Sequence, residues 1–163
     1  MPVNRKLNIT VTFSCTQTGE NSFGGGATYI QSGSTPEMGP IVDANGTIDF
    51  DSALTFDPSA YNNNVDIIFT LATPCSVSPG GGTIPVAWAT ENGTGMTVQG
   101  PNGGSQNEMT VQVDPNNPNI ITILDNDDDS NTYNYKPALE LIREGKPNYY
   151  ISLDPQIVNR PHN

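Results

Sequence analysis

Residues 7–13 read Leu-Asn-Ile-Thr-Val-Thr-Phe, a strict alternation of apolar and polar side chains. Successive side chains of an extended strand point to opposite faces, so this segment predicts a strand with one buried face and one solvated face. The same period of two recurs further along the chain, which predicts an all-β fold. It is found in segments 65–71, 84–88, 109–113, 121–123 and 149–153, and more weakly in 27–31, 47–50 and 96–99.

The composition agrees with short strands joined by turns. The chain has 163 residues, of which 34% are hydrophobic, with 16 Gly and 14 Pro. Turn signals such as Asn45-Gly46 and the glycine run at 80–82 lie between the alternating segments. The length suits one domain. We therefore expect residues 1–163 to form a single antiparallel β-sandwich of about ten short strands.

Charge and histidine content exclude several classes of function. The net charge is -11, and such a surface repels phosphate backbones and anionic lipids, so we expect no nucleic-acid partner and no membrane partner. The chain shows neither a signal-peptide core nor an apolar run of membrane-spanning length, which favours a cytoplasmic location. The only histidine, His162, is the penultimate residue, which argues against a histidine-based triad or a multi-histidine metal site. No cofactor and no metal are expected.

Two pairs of residues each admit two interpretations. Cys15 and Cys75 can form one disulfide or serve as small core residues, and the second is commoner in a reducing compartment. Asp49 and Asp51 share a strand face by parity, as the carboxylate pair of a glycosidase does. Two exposed acids on one strand are common, however, so an ordinary solvated pair is the favoured interpretation.

An acidic run follows the strand predicted at 121–123. Asp125, Asp127 and Asp129 have the spacing of the first three ligands of an EF-hand calcium loop. The sixth position of that loop is Ser130 instead of glycine, and the twelfth is Lys136 instead of glutamate. A solvated acidic loop is therefore favoured over a calcium site, with opportunistic cation binding as the alternative.

Three Asp-Pro dipeptides occur, at Asp57-Pro58, Asp114-Pro115 and Asp154-Pro155. An aspartyl carboxyl can attack its own peptide carbonyl to give a five-membered cyclic anhydride, and the proline nitrogen is a good leaving group. Asp-Pro is also an ordinary turn dipeptide. The first two run into turn-rich sequence, whereas the third lies inside an apparently continuous strand over 149–157.

A predicted hairpin places this third dipeptide opposite an isolated lysine. Lys136 is the first basic residue after Lys6, and a hairpin of 133–142 with 148–158 centred on Gly145 puts Lys136 directly across from Asp154. An ordinary cross-strand salt bridge and a reactive pair remain equally weighted on this pattern.

One segment of that hairpin also satisfies the rules for a short helix. Residues 137–145 have proline in the first turn and glycine after the end. Leu139 and Leu141 nevertheless continue the alternation of Tyr133 and Tyr135, so a strand is favoured.

The C-terminal region resembles the DP-EP family of small bacterial proteins. The resemblance rests on residues 134–141, Asn-Tyr-Lys-Pro-Ala-Leu-Glu-Leu, and 145–160, Gly-Lys-Pro-Asn-Tyr-Tyr-Ile-Ser-Leu-Asp-Pro-Gln-Ile-Val-Asn-Arg. It implies a β-sandwich that cleaves itself at an Asp-Pro bond near the C-terminus, here Asp154-Pro155. It further implies that peptide 155–163 stays docked as a strand and that Lys136 can become covalently linked to Asp154.

Such a reaction requires a carboxylate that activates water or shuttles a proton. Asp127 and Asp129 of the acidic run are the first candidates, and Glu140 on the strand of Lys136 is the next. The resulting hypothesis is an autocatalytic aspartic-type endopeptidase acting in cis, whose partner is its own peptide 155–163. The alternative is a non-enzymatic β-sandwich for interaction or assembly with a Lys136–Asp154 salt bridge, which leaves a protein partner or self-assembly open.

Overall fold

The computed structural model describes residues 1–90, 96–99, 109–126, 132–153 and 155–158. Within these ranges the chain is all-β, with one short 3-10 helix, η1, at Phe50–Ser52. No helix in these ranges is long and apolar enough to cross a membrane. The strands are β1 (Val3–Gly19), β2 (Ser22–Thr35), β3 (Ile48–Asp49), β4 (Tyr61–Leu71), β5 (Cys75–Ser78), β6 (Thr83–Ile84), β7 (Val86–Trp88), β8 (Met96–Gln99), β9 (Met109–Val113), β10 (Ile120–Asp125), β11 (Thr132–Leu141), β12 (Tyr149–Ser152) and β13 (Gln156–Val158).

The first sheet is built around β1 and contains seven strands. β2 pairs antiparallel with β1 along nearly its whole length, while β4 and β5 pair with it in parallel at its two ends. The expected antiparallel β-sandwich is therefore confirmed only as an all-β fold built of sheets, because part of the strand pairing is parallel. A tight turn can join only antiparallel neighbours, whereas β4 and β5 reach β1 through long connections that allow a parallel direction. β10 and β9 extend the sheet beyond β4, and β6 extends it beyond β5.

The outer edge of β2 is covered by the segment that follows it. Tyr29 N–H donates to the carbonyl of Ala44, at 3.1 Å. The Gln31 side chain accepts from the N–H groups of Ile41 and Val42 and donates to the carbonyl of Gly39, at 2.7–3.3 Å. The side chain of Gln31 thus provides, next to β2, hydrogen bonds that a further strand would otherwise make.

The second sheet contains six strands, with β11 at its centre. β12 and β13 follow one another along one edge of β11, and β7 and β8 do so along the other edge. β3 pairs in parallel with β13. Pairing on both edges holds β11 extended, so the prediction of a strand rather than a helix here is confirmed.

Both sheets contribute to one buried apolar cluster. The apolar residues of segment 7–13, which lies in β1, are all buried, as the alternation predicts. β4 and β10 present the same pattern, and Tyr135, Leu139 and Leu141 of β11 face this cluster from the second sheet. Each fully buried aliphatic or aromatic side chain contributes about 1.5–3 kcal/mol, so these faces are what stabilise the fold.

Two further sequence predictions differ from the structure. The segment predicted as one strand at 84–88 is divided between the sheets, because Pro85 lies between β6 and β7 and cannot donate to a ladder. Asp49 and Asp51 are not a carboxylate pair on one strand. Asp49 ends β3 and caps η1, since its side chain accepts from the N–H of Asp51 at 3.0 Å and from the hydroxyl of Ser52 at 2.8 Å.

Cys15 and Cys75 are buried free thiols, so the core interpretation of these residues is confirmed. Burial raises the pKa of both thiols, and the proximity of Cys75 raises the pKa of Cys15 further. Both groups are therefore held in the unreactive protonated form.

Truncating a buried side chain of the first sheet is expected to cost far more than truncating an exposed one. Ile67 of β4 is 0% exposed and Ile30 of β2 is 54% exposed. We expect Ile67→Ala to lower the free energy of unfolding by about 2–5 kcal/mol and Ile30→Ala by less than about 0.5 kcal/mol, measured by chemical denaturation. Equal losses in the two variants would contradict the assignment of the core face.

Candidate functional site

Lys136 lies in the middle of β11 on the face turned away from the shared core. Its neighbours Tyr135 and Pro137 are buried, while Lys136 itself is half-buried. On the β8 edge, Lys136 pairs with Thr97, which is exposed. The lysine is therefore a central residue of the sheet with its side chain on the outer, polar face.

The register of the predicted hairpin is found on both sides of Lys136. Leu139 pairs with Ile151, and Tyr133 pairs with Ile157. The two residues of each pair lie equally far along the chain from Gly145, which has a positive φ of 71° in the connecting loop. The same register thus runs through β12 and β13, although a break separates these strands.

Two backbone hydrogen bonds bracket the site. Leu153 N–H donates to the carbonyl of Pro137 at 2.8 Å, and Tyr135 N–H donates to the carbonyl of Pro155 at 3.1 Å. These residues occupy hydrogen-bonded positions of the antiparallel ladder, so Lys136 occupies a non-hydrogen-bonded position, the class in which opposed side chains approach most closely. Asp154 lies outside the described residues, as do Asp127 and Asp129.

Proline weakens the ladder on each side of this position. Pro137 and Pro155 have no N–H, so each of the two bracketing pairs carries one backbone hydrogen bond where an ordinary pair carries two. The predicted continuous strand over 149–157 is accordingly interrupted, with β12 ending at Ser152 and β13 beginning at Gln156. The part played by Pro137 was not predicted, although the hairpin register itself places this proline opposite Leu153.

Glu140 lies on the same face as Lys136 but is engaged elsewhere. It is buried, and the side-chain amide of Asn148 donates to its carboxylate at 3.3 Å. Four residues of extended strand separate Glu140 from Lys136, about 13 Å at the usual rise. Glu140 thus interacts with the end of the hairpin loop and is the weaker of the predicted carboxylate candidates.

The other two Asp-Pro dipeptides have a different environment. The Asp57 carboxylate accepts from the hydroxyl and the N–H of Ser59, at 2.7 and 2.9 Å, and these bonds lower the pKa of Asp57. The Asp114 carboxylate accepts from the N–H of Asn116 at 2.8 Å. Both carboxylates therefore close local turns, and the prolines that follow them are exposed, whereas Pro155 is buried.

The C-terminal strand β13 is enclosed by other elements. It lies between β11 and β3, next to η1. Ile157 is fully buried and belongs to the shared core. The backbone that follows Pro155 is therefore held by pairing on two edges and by one apolar anchor.

No family model matches this chain, and no curated protein matches it. Within the described ranges, no group of three or more His, Cys, Asp or Glu side chains is placed to hold a metal ion. The residues around Lys136 are therefore the candidate site.

An engineered disulfide will test the register of this site. Ala138 and Ser152 form the next pair of the same non-hydrogen-bonded class along β11 and β12. We expect Ala138→Cys with Ser152→Cys to form a disulfide, because directly opposed Cβ atoms lie about 4.5–5.5 Å apart. The matched control, Ala138→Cys with Tyr150→Cys, is displaced by two residues and should stay reduced. Non-reducing peptide mapping measures both, and equal cross-linking would contradict the register.

Proposed function

We propose that this protein cleaves its own Asp154-Pro155 bond, and that its two sheets form the β-sandwich expected of the DP-EP family. The observation that carries the proposal is the pair of hydrogen bonds from Leu153 and Tyr135 that bracket Lys136 in the predicted register. These bonds hold both neighbours of Asp154 against the strand of the lysine. The resemblance of the C-terminal region to the DP-EP family supports the same assignment.

The proposed reaction begins within one residue. A side-chain oxygen of Asp154 attacks the main-chain carbonyl carbon of the same residue, and a bond forms that closes a five-membered anhydride. The bond from that carbon to the nitrogen of Pro155 breaks. The attacking carboxyl gives up its proton to solvent, the nitrogen takes one up from solvent, and Pro155 leaves as a secondary amine. Water then opens the anhydride, which leaves Asp154 with a side-chain carboxyl and a new terminal carboxyl.

The local structure supports cleavage at this dipeptide in preference to the other two. One carboxylate oxygen (Oδ1) of Asp57 and of Asp114 accepts turn hydrogen bonds. These bonds lower the pKa of Asp57, which opposes the protonated form that acid-promoted cleavage uses. The two residue pairs that flank Asp154 carry one backbone hydrogen bond each instead of the usual two, because Pro137 and Pro155 have no N–H to donate. Less pairing therefore has to be disrupted when the peptide unit distorts toward the anhydride.

Lys136 supplies a second way to open the anhydride. An unprotonated amine held across a non-hydrogen-bonded pair has a high effective concentration compared with a nucleophile free in solution. Attack of the lysine nitrogen on an anhydride carbonyl forms an amide, releases the other carboxyl and loses the amine proton to solvent. Lys136 and water therefore compete for one intermediate, and the result is a cross-linked or a hydrolysed chain.

Asp127 and Asp129 are the proposed carboxylates for water activation. They belong to the connection from β10 to β11, and β11 begins at Thr132, which pairs with Val158 of β13. The connection therefore enters the second sheet opposite Val158, which is four residues after Asp154. Proximity along the sheet does not separate the acidic run from Glu140, which is also four residues away; the run is preferred because the Glu140 carboxylate already accepts a hydrogen bond from Asn148.

Denaturing mass spectrometry of aged protein tests the cleavage. We expect two species, residues 1–154 and 155–163, while the protein stays one particle under native conditions. Asp154→Asn should leave the chain whole because a side-chain amide cannot form the anhydride. The matched variants Asp57→Asn and Asp114→Asn should be cleaved as wild type is. Wild-type chains that stay intact after prolonged incubation at mildly acidic and neutral pH would support the non-enzymatic assembly module instead.

The cross-link has its own signature. Peptide mapping should yield a branched peptide that joins the Lys136 segment to the segment ending at Asp154, lighter by one water than its two parts together. Its share should grow as the pH rises, because a protonated amine cannot attack. Lys136→Ala should abolish the branch, and Lys146→Ala, which removes an exposed lysine of the hairpin loop, should not. A branch that survives in Lys136→Ala would show that Lys136 is only a structural neighbour.

A further inference from the structure

β13 occupies a slot between two strands of the second sheet. It pairs antiparallel with Thr132–Asn134 of β11 and in parallel with β3. Neighbouring strands lie about 4.8 Å apart, so β11 and β3 leave room for one extended chain and no more. When β13 is absent, both flanking strands lose their backbone partners at this place.

Two side chains of this segment are enclosed by the protein. Pro155 and Ile157 are buried, and Val158 is half-buried. Ile157 faces Tyr133 on one edge and Ile48 on the other, and both of these are buried too. The slot therefore recognises an extended peptide mainly by hydrogen bonds to the peptide backbone. One buried apolar side chain, two positions after a proline, adds to this recognition.

Cleavage before Pro155 changes how this segment is held. In the intact chain the tether to Leu153 returns a detached strand at a very high effective concentration. In a nicked chain the segment has no covalent tether and is held by backbone pairing and by the buried side chains of Pro155 and Ile157, so it dissociates and rebinds in competition with any matching peptide. Its occupancy then follows mass action.

We propose that the slot between β11 and β3 is a peptide-binding site that exchanges its own C-terminal segment for that of a second copy of this chain. The proposal rests on the proposed self-cleavage, which is what frees the segment. The preferred ligand is an extended peptide with a proline at the first position and a β-branched apolar residue at the third. A charged residue at the third position is rejected, because it would have to enter the core beside Tyr133 and Ile48.

Exchange is measured with a synthetic, isotopically labelled peptide of residues 155–163. Nicked protein is incubated with a tenfold molar excess and analysed by native mass spectrometry. We expect about 90% of the bound peptide to be labelled at equilibrium, the share that mass action gives for equal affinities. The same peptide carrying Ile157→Asp should not enter. The intact Asp154→Asn chain should take up neither peptide, because its tethered strand fills the slot.

A second variant separates this proposal from self-cleavage. It carries a short recognition sequence for a site-specific protease inserted between Asp154 and Pro155, at the existing break between β12 and β13, so the nick is made whether or not the chain cuts itself. Uptake of labelled peptide by this nicked variant supports the exchange site even if wild-type chains stay intact. If nicked protein keeps its own peptide throughout, or binds the Ile157→Asp peptide equally well, the exchange proposal is overturned. Self-cleavage is judged separately, from the fragment masses of wild-type protein.

Discussion

The pairing of β11 on both of its edges is the constraint on which the second sheet depends. Because β7 and β8 occupy one edge and β12 and β13 the other, β11 cannot slip by one residue without moving Tyr135, Leu139 and Leu141 out of the core. The hydroxyl of Tyr135 also donates to the carbonyl of Gly46, which ties β11 to the turn that precedes β3. A fixed register leaves Lys136 a single position opposite the chain that returns through Leu153 and Pro155.

A buried cation links this sheet to the first one. Arg5 of β1 is fully buried, and its guanidinium donates to the carbonyl of Asn63 at 2.7 Å. The central carbon of the guanidinium, Cζ, lies 5.8 Å from the ring centroid of Phe50 and 4.5 Å from that of Phe56. Phe50 belongs to η1, the element beside β13. Stacking of this kind lets a guanidinium share an apolar interior with aromatic side chains. Arg5, from the first strand, thus contacts the aromatic residue of η1, the element that lies beside β13.

The sequence predicts well those features that arise from neighbouring residues. Alternation predicts β1, β4 and β10 because each buries one face, and the hairpin register follows from a short loop centred on Gly145. The parallel neighbours of β1 could not be predicted, since pairing between distant strands is decided by the packing of the whole sheet. The four-residue strand β5 has too few residues to show a period. At the candidate site, Lys136 and Pro155 could be named from the sequence, whereas the combined effect of Pro137 and Pro155 on the ladder became visible only with both partners paired.

The side chain of Gln31 has a consequence for how this protein behaves in concentrated solution. Strands at the border of a sheet invite the same border of another molecule, and unchecked growth in that direction produces fibrils. By binding Gly39, Ile41 and Val42, one glutamine amide keeps the segment after β2 folded over part of that border. The first sheet thereby keeps part of its border at β2 closed, so that association through strands does not spread there into aggregation.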